Sequence, residues 1–219
     1  MISQTEENYL KAIYKITERE GKAASTNAIA SAMNTTAASV TDMFNRLKTK
    51  ELVNYEKSKG VTLTPVGGRL ATTLVRKHRI WEVFLCEKLG YSWDECHDIA
   101  EELEHIQDTD LINRLERFLG HPKFDPHGDP IPDSSGNFTP RSQTLLSDMN
   151  IGEKGVIVGV QDHSTSFLQY LDKQRMNLGV ELRILEIFEF DDSMKIILGE
   201  QHELIVSSRV CQNLFLKKN

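Results

Sequence analysis

The run Cys96-His97-Asp98-Ile99-Ala100-Glu101-Glu102-Leu103-Glu104-His105 concentrates residue types that bind divalent cations. On a helix each residue turns by about 100°, so with His97 at zero, Glu101 falls near 40°, Glu104 near −20° and His105 near 80°. Two imidazoles and two carboxylates then share an arc of roughly 100°, while Ile99, Leu103 and Ile106 gather on the other side. Such a face can coordinate a metal ion, and it can also be the solvated side of an amphipathic helix. Spacing alone leaves both readings open. His78 and Glu82 make a second pair, one helical turn apart. Asp125 with His127, and Asp162 with His163, are polar residues able to close such a site, although each alone suits a turn or the surface. Other chemistries lack their motifs: there is no CxxC pair among Cys86, Cys96 and Cys211, no HExxH, no nucleophile elbow and no phosphate-binding glycine loop. Metal-assisted hydrolysis would also need a substrate pocket and a general base, which the sequence does not supply, so no enzyme and no small-molecule substrate are expected.

The elements that must position these residues are legible from periodicity. Residues 5–20 read as a helix, with Tyr9, Leu10, Ile13 and Ile16 along its apolar stripe. Ser25-Thr26-Asn27 offers capping chemistry for a short helix over Ala28–Met33, and Asn34-Thr35-Thr36 makes a turn. The next helix begins at Ala37, with Val40, Met43, Phe44 and Leu47 as its buried stripe. Helix, short turn and helix fit a helix-turn-helix. Two β-type runs, Leu52–Tyr55 and Val61–Thr64, flank a Gly-containing turn and read as a hairpin, or wing. Pro65 suits the start of a long helix reaching about Leu89, because its missing N–H is not needed there. The ligand-rich run predicts a helix over about Ser92–Ile106, followed by another over Thr109–Leu119. Four of the six prolines fall in His121–Asp133, which reads as an irregular connector. Beyond Met149 short β-type runs (155–160, 181–190, 195–198, 203–206), interrupted by a helix over 166–176, predict a small β-barrel-like domain.

The formal charge of −6 is divided unevenly. Residues 1–79 carry 13 Lys and Arg against 7 Asp and Glu, a balance of +6, whereas 80–219 carry 13 against 25, a balance of −12. A basic N-terminal third on an acidic chain points to contact with a polyanion there, since Lys and Arg displace counterions from phosphates. The candidate DNA-contacting residues are Thr36, Ala37, Ala38, Ser39, Thr41, Asp42, Asn45 and Arg46 on the second helix of the pair. Lys57 and Lys59 join them at the wing tip. Small residues allow close approach to base edges, Ser, Thr and Asn hydrogen-bond there, and the lysines suit phosphate. No apolar run is long enough to span a bilayer and the N-terminus is no signal peptide, so a cytoplasmic protein without membrane contact is expected.

With these residues in view, the chain resembles the diphtheria-toxin-repressor and manganese-transport-regulator family of bacterial metal-dependent repressors. Glu7-Asn8-Tyr9-Leu10-Lys11-Ala12-Ile13-Tyr14 resembles the family's first helix. Val75–Arg79 with Glu82, and His97-Asp98 through Glu104-His105, resemble its ligand helices, and Asp125-Pro126-His127-Gly128-Asp129-Pro130-Ile131-Pro132 its linker. The likeness covers essentially the whole chain. It implies an α+β, mainly α fold: a winged helix-turn-helix DNA-binding domain over 1–72, a helical metal-binding and dimerisation domain over 73–140, and an SH3-like (FeoA-like) small β-barrel over 145–219.

By position, the resemblance implies a main regulatory site of Asn8, Glu101, Glu104 and His105. An ancillary site would use His78, Glu82 and His97, completed by Asp162 and His163. It implies a homodimer that represses transcription from double-stranded operator DNA in response to metal. Glu101 follows the manganese-type pattern, and oxygen and imidazole donors favour a harder ion, so Mn(II) is expected, with Fe(II) as the alternative and Zn(II) or Co(II) as substitutes. Asn8 departs from the usual manganese-type Asp. Lys11 stands where some members carry a carboxylate, so a second ion there is not expected. Without metal, Glu101 and Glu104 are expected to repel one another and leave the first helix loosely tied. The competing readings are an iron-responsive repressor, a metallohydrolase and an iron-transport accessory protein.

Overall fold

The computed structural model describes residues 2–140, 142–199 and 202–218. By contact density the chain divides into two units, Met1–His78 with Glu101–Asn113 and Pro132–Phe138, and Arg79–Ala100 with Arg114–Ile131 and Thr139–Asn219. No helix among the described residues is long and apolar enough to cross a membrane.

In the first unit, α1 (Gln4–Glu20) starts at a capping box. The Ser3 hydroxyl accepts from the Glu6 amide while the Glu6 carboxylate accepts from the Ser3 amide. Gly21 ends the helix in the left-handed region, at φ 64°. Glu6 is buried and also binds Lys50 Nζ at 2.8 Å, which holds its carboxyl below the usual range against the opposing effect of burial. Tyr9, Leu10, Ile13 and Ile16 are buried, as their spacing predicts. The short helix α2 (Thr26–Ala32) is capped by Ser25, and α3 (Ala37–Thr49) by Thr36. Between them Asn34 takes φ 48°, a left-handed position that Asn tolerates. Val40, Met43, Phe44 and Leu47 are buried and share one core with α1, Ile29, Val53, Tyr55 and Val61.

The wing is an antiparallel pair, β1 (Val53–Glu56) and β2 (Gly60–Leu63), in register Val53 to Leu63 and Glu56 to Gly60. Gly60 is required twice over: its φ is +89°, and a Cβ there would collide with the Ala24 carbonyl. α4 (Pro65–Leu89) begins at the predicted proline and contributes to both units.

The predicted Ser92–Ile106 helix is shorter in the structure. α5 covers only Cys96–Leu103, and Glu104 and His105 lie in the turn that follows. Helical angles therefore do not apply to those two residues. The buried positions are Cys96, Ala100 and Glu104, whereas Ile99, Leu103 and Ile106 remain partly exposed. The polar edge, rather than the Ile/Leu edge, carries the deepest residue. α6 (Thr109–Phe118) follows.

In the second unit a six-stranded antiparallel sheet has the order β3-β8-β4-β5-β6-β7. Its strands are β3 (Thr144–Leu145), β4 (Lys154–Val160), β5 (Glu181–Ile187), β6 (Met194–Leu198), β7 (His202–Val206) and β8 (Leu214–Lys218). α7 (Thr165–Lys173) buries Phe167, Leu168 and Leu171 in the same core as Ile157, Ile184, Ile196 and Leu216. A four-residue helix, α8 (Ser208–Cys211), precedes the last strand.

Candidate metal centres and nucleic-acid interface

In the first unit, Glu104 is the focus of a buried polar cluster. Its side chain has no solvent exposure. Lys11 Nζ donates to Glu104 Oε1 at 2.6 Å and to Oε2 at 2.8 Å, and also to Glu101 Oε1 at 3.1 Å. His78 Nδ1 lies 2.7 Å from Glu104 Oε2. His105 Nδ1 lies 2.6 Å from Glu7 Oε2, and its other nitrogen, Nε2, is 3.9 Å from Glu104 Oε1. That is the arrangement of a ligating histidine oriented by a carboxylate on its far side. Lys77 Nζ donates to the Ile106 carbonyl at 2.7 Å and so fixes the turn that carries Glu104 and His105. Burial lowers the Lys77 pKa, with Glu7 and Glu104 opposing.

Asn8 projects from the same helix as Lys11, one turn earlier. Its Oδ1 is buried and has no hydrogen-bond partner. An orphaned buried carbonyl oxygen is uncommon and calls for a reason. Here it belongs to a residue expected as a metal ligand, and it shares a pocket lining with Lys11 and Glu101. Asn8, Glu101, Glu104 and His105 supply oxygen and imidazole donors, a set that suits Mn(II) or Fe(II). The residues present fit a divalent ion.

The expected repulsion between Glu101 and Glu104 is not what the structure shows. The Lys11 ammonium stands between the two carboxylates and ties α1 to the segment carrying them. Sequence reasoning places Lys11 near the site only as a residue that precludes a second ion, and gives Glu7 and Lys77 no role there. The available signal for Glu7 and Lys11 is spacing: Glu7, Asn8 and Lys11 lie on one face of α1, at i, i+1 and i+4.

The second unit holds a different cluster. His97 Nδ1 lies 3.1 Å from Glu82 Oε1. His127 is 1 % exposed; its Nε2 lies 2.7 Å from the Trp93 carbonyl. Its Nδ1 has no hydrogen-bond partner and faces Glu82 Oε1 at 3.7 Å. Ligand atoms of Glu82, Cys96 and His127, all buried, lie within 4.8 Å of one another. The Asp125 carboxylate accepts from the His127 and Asp129 amides, and Arg79 pairs with Asp125 and Asp129. Burial pushes the Asp125 carboxyl up to about 7, helped by Asp129 and Glu82 and opposed by Arg79 and His127. The His127 imidazole is held at about 9: burial works against its charge, and Glu82 and Asp125 outweigh it.

Of the residues expected to complete an ancillary site, His163 stacks on His127 with ring centroids 4.7 Å apart. Asp162 accepts from the Ser164 amide at 2.9 Å and pairs with Arg209 at 3.5 Å. His78 is one turn before Glu82 on α4, and its Nδ1 lies 2.7 Å from Glu104 Oε2.

On the winged head, Thr36, Ala37, Ala38, Ser39, Asp42, Asn45 and Arg46 are exposed along α3, and Lys57 and Lys59 are exposed at the wing tip. Thr41 is half-buried and its hydroxyl donates to the Ala37 carbonyl at 2.9 Å. Arg46 lies 3.7 Å from Glu6, and Lys59 pairs with Glu56 at 2.8 Å across an exposed turn. The Lys59–Glu56 pair is exposed on both sides and weak, and the Arg46 side chain is itself exposed, so both cations stay available to a phosphate.

Residues 1–61 match the model of the iron dependent repressor N-terminal DNA binding domain. Residues 64–133 match that of the iron dependent repressor metal binding and dimerisation domain, and 144–218 that of the FeoA domain. The chain belongs to the iron-dependent repressor family. The diphtheria toxin repressor of Corynebacterium jeikeium (strain K411) is 33% identical over 128 residues, which are 58% of this chain and 53% of that protein. The chain spans about half the length of the first curated relatives it matches. Among solved structures, a manganese-dependent transcriptional repressor in complex with manganese matches with a TM-score of 0.88 at 31% identity, over 97% of this chain and 99% of that one. The manganese regulator SloR matches with a TM-score of 0.79 at 35% identity, over 98% of each chain.

Proposed function

We propose that this protein is a metal-activated transcriptional repressor that binds double-stranded operator DNA as a homodimer in the cytoplasm and controls metal-ion homeostasis. The domains take the roles given above: 1–72 contacts DNA, 73–140 holds metal and dimerises, and 145–219 is the SH3-like module. The observation that carries the reading is the orphaned Asn8 Oδ1, which shares a pocket lining with Glu101 and with Lys11, the residue that binds Glu101 and Glu104. A divalent cation bound there supplies the charge that lets these donors converge. Asn8 contributes α1 to the set, Glu7 orients the His105 imidazole, and Lys77 holds the turn. An ancillary site would draw on Glu82, His97 and His127, beside His78 and with help from Asp162 or His163.

Mn(II) is the effector we favour, because no thiolate is among the first donor set. Fe(II) is the alternative, and Zn(II) or Co(II) would substitute. Relatives of both manganese and iron type support the class and divide on the metal.

The test is selection of binding sites from a random duplex library, followed by titration with Mn(II), Fe(II), Zn(II) and Co(II) in parallel under anaerobic conditions. Metal-dependent binding that is lost in Glu104→Ala is the expected result. Binding unaffected by metal or by Glu104→Ala would remove the first cluster from regulation. Lys57→Ala and Lys59→Ala should weaken binding to every sequence, each lowering the slope of log K against log salt by about 1. An unchanged slope would take the wing out of the interface.

A further inference from the structure

We propose that Lys11 is a tethered counter-cation that competes with the divalent ion for Glu104 and Glu101, and so sets the ion concentration at which the site fills. The inference rests on the metal-site reading above and adds a residue that is not itself a ligand. Three carboxylate oxygens lie between 2.6 and 3.1 Å from Lys11 Nζ. Lys11 is 6% exposed and Glu104 fully buried, so in this arrangement each charge is held by the other and not by water. An ion coordinated by Glu104 would sit roughly 2 Å from an oxygen that Lys11 already holds, hence within about 5 Å of the ammonium. Two cations at that spacing in a low-dielectric site exclude one another. One of them has to leave, and the tethered one can.

The ammonium has space to move into. A pocket of about 430 Å³ opens beside Lys11, lined by Asn8, Lys15, Arg19 and Glu101 among others. Lysine suits the role because its ammonium is a compact charge on a flexible four-carbon stem, with no geometric fork to hold it in place. Glu104 therefore always has a cation: the ammonium when metal is scarce and the divalent ion when metal is plentiful. The apparent affinity for metal is reduced by the fraction of protein in which Lys11 blocks the carboxylates.

The test is direct binding of Mn(II), read from the free-ion paramagnetic resonance signal, in the full chain. Lys11→Met keeps a stem of similar bulk and removes the ammonium, so the Mn(II) dissociation constant should fall at least about tenfold. Lys11→Arg keeps the charge on a planar fork that grips carboxylates more firmly, so its dissociation constant should be at or above that of the parent, and a fall like that of Lys11→Met overturns the proposal. If Lys11 were only a structural tie, Lys11→Met would loosen the cluster and weaken binding, a change of opposite sign that overturns the proposal, as does no change.

Should Lys11→Met fail to fold, the unmodified protein gives the second readout. Mn(II) should raise the rate at which an amine-reactive ester labels Lys11, located by peptide mass spectrometry, at least about threefold. An unchanged rate overturns the proposal. Glu104→Gln separates the two layers: if it binds Mn(II) as well as the parent, the metal-site reading itself fails. If it loses Mn(II) while Lys11→Met matches the parent, only the competitor fails.

Discussion

Each of the two polar clusters sets a permanent cation against its carboxylates, and they use it differently. In the first, Lys11 points a single ammonium at Glu104 and Glu101, the carboxylates expected to bind metal. In the second, Arg79 is engaged by Asp125, by Asp129 and by the Pro130 carbonyl, while the candidate ligand Glu82 is approached by the imidazoles of His97 and His127. A guanidinium held by a planar fork is a fixed part of a scaffold; an ammonium on a flexible stem is exchangeable. The unsatisfied atoms differ in the same sense. Asn8 Oδ1 is an acceptor lacking a cation or donor, whereas His127 Nδ1 is a ring nitrogen facing a carboxylate beyond hydrogen-bond reach. The first cluster is arranged to trade one cation for another, and the second to keep its framework whatever binds.

That contrast is broken or sharpened first by Glu104→Ala. It removes two of the three carboxylate oxygens around a buried ammonium, leaving only the half-exposed Glu101, together with a partner of His78, and breaking a buried pair typically destabilises by about 3–5 kcal/mol. Urea unfolding of the metal-free protein should show a loss of that order. A loss below about 1 kcal/mol would mean Lys11 finds water as readily as it finds Glu104. The next effect is linkage. At a hundredfold excess over its dissociation constant, Mn(II) should stabilise the protein by about 2.7 kcal/mol. His105→Ala should abolish the part of that increment owed to the first cluster, and an increment that survives undiminished would assign all of it elsewhere.

The sequence foreshadows the scaffold better than the site, for identifiable reasons. The apolar stripe of α3, the wing around Gly60 and the start of α4 at Pro65 follow from local patterns that the structure preserves. β8 and α8 are not legible: Leu214-Phe215-Leu216-Lys217-Lys218 has its alternation blurred by Phe215, and a four-residue helix has too little periodicity to detect. Glu101, Glu104 and His105 are picked out as candidates by their types and spacing, yet the helical wheel that selects them fails after Leu103, where the chain turns. Lys11 is the harder case. A lysine on the face of an amphipathic helix ordinarily reads as solvated, and only a tertiary contact across more than ninety residues shows it buried against Glu104. His127 is hidden in the same way, because a proline-rich connector gives no period from which burial can be read.

A smaller effect tests how far the first cluster depends on orientation. Glu7 fixes the His105 ring through Nδ1 and leaves Nε2 on the Glu104 side. Glu7→Gln keeps the shape and weakens that bond. Outer partners of ligating histidines typically contribute 10- to 100-fold in metal affinity, or about 1.4–2.8 kcal/mol. The Mn(II) dissociation constant should rise within that range while the unfolding free energy of the metal-free protein changes little. A large loss of stability with unchanged affinity would recast Glu7 as a structural anchor.

The smallest effect is expected from Asp125→Asn, and it is the one most able to break the contrast. Asp125 is buried, and burial, with Asp129 and Glu82 beside it, pushes its carboxyl up to about 7. An amide of the same shape still offers an oxygen to the His127 and Asp129 amides, which fix the connector. Arg79 keeps Asp129 at 2.9 Å, so its guanidinium is not left alone. The net loss should then be about 1 kcal/mol or less, the size of one modest hydrogen bond. If urea unfolding instead shows a loss matching Glu104→Ala, Arg79 depends on Asp125 as Lys11 depends on Glu104. The distinction between a fixed and an exchangeable cation would then rest on the residue type alone, with no support from how each cluster is held together.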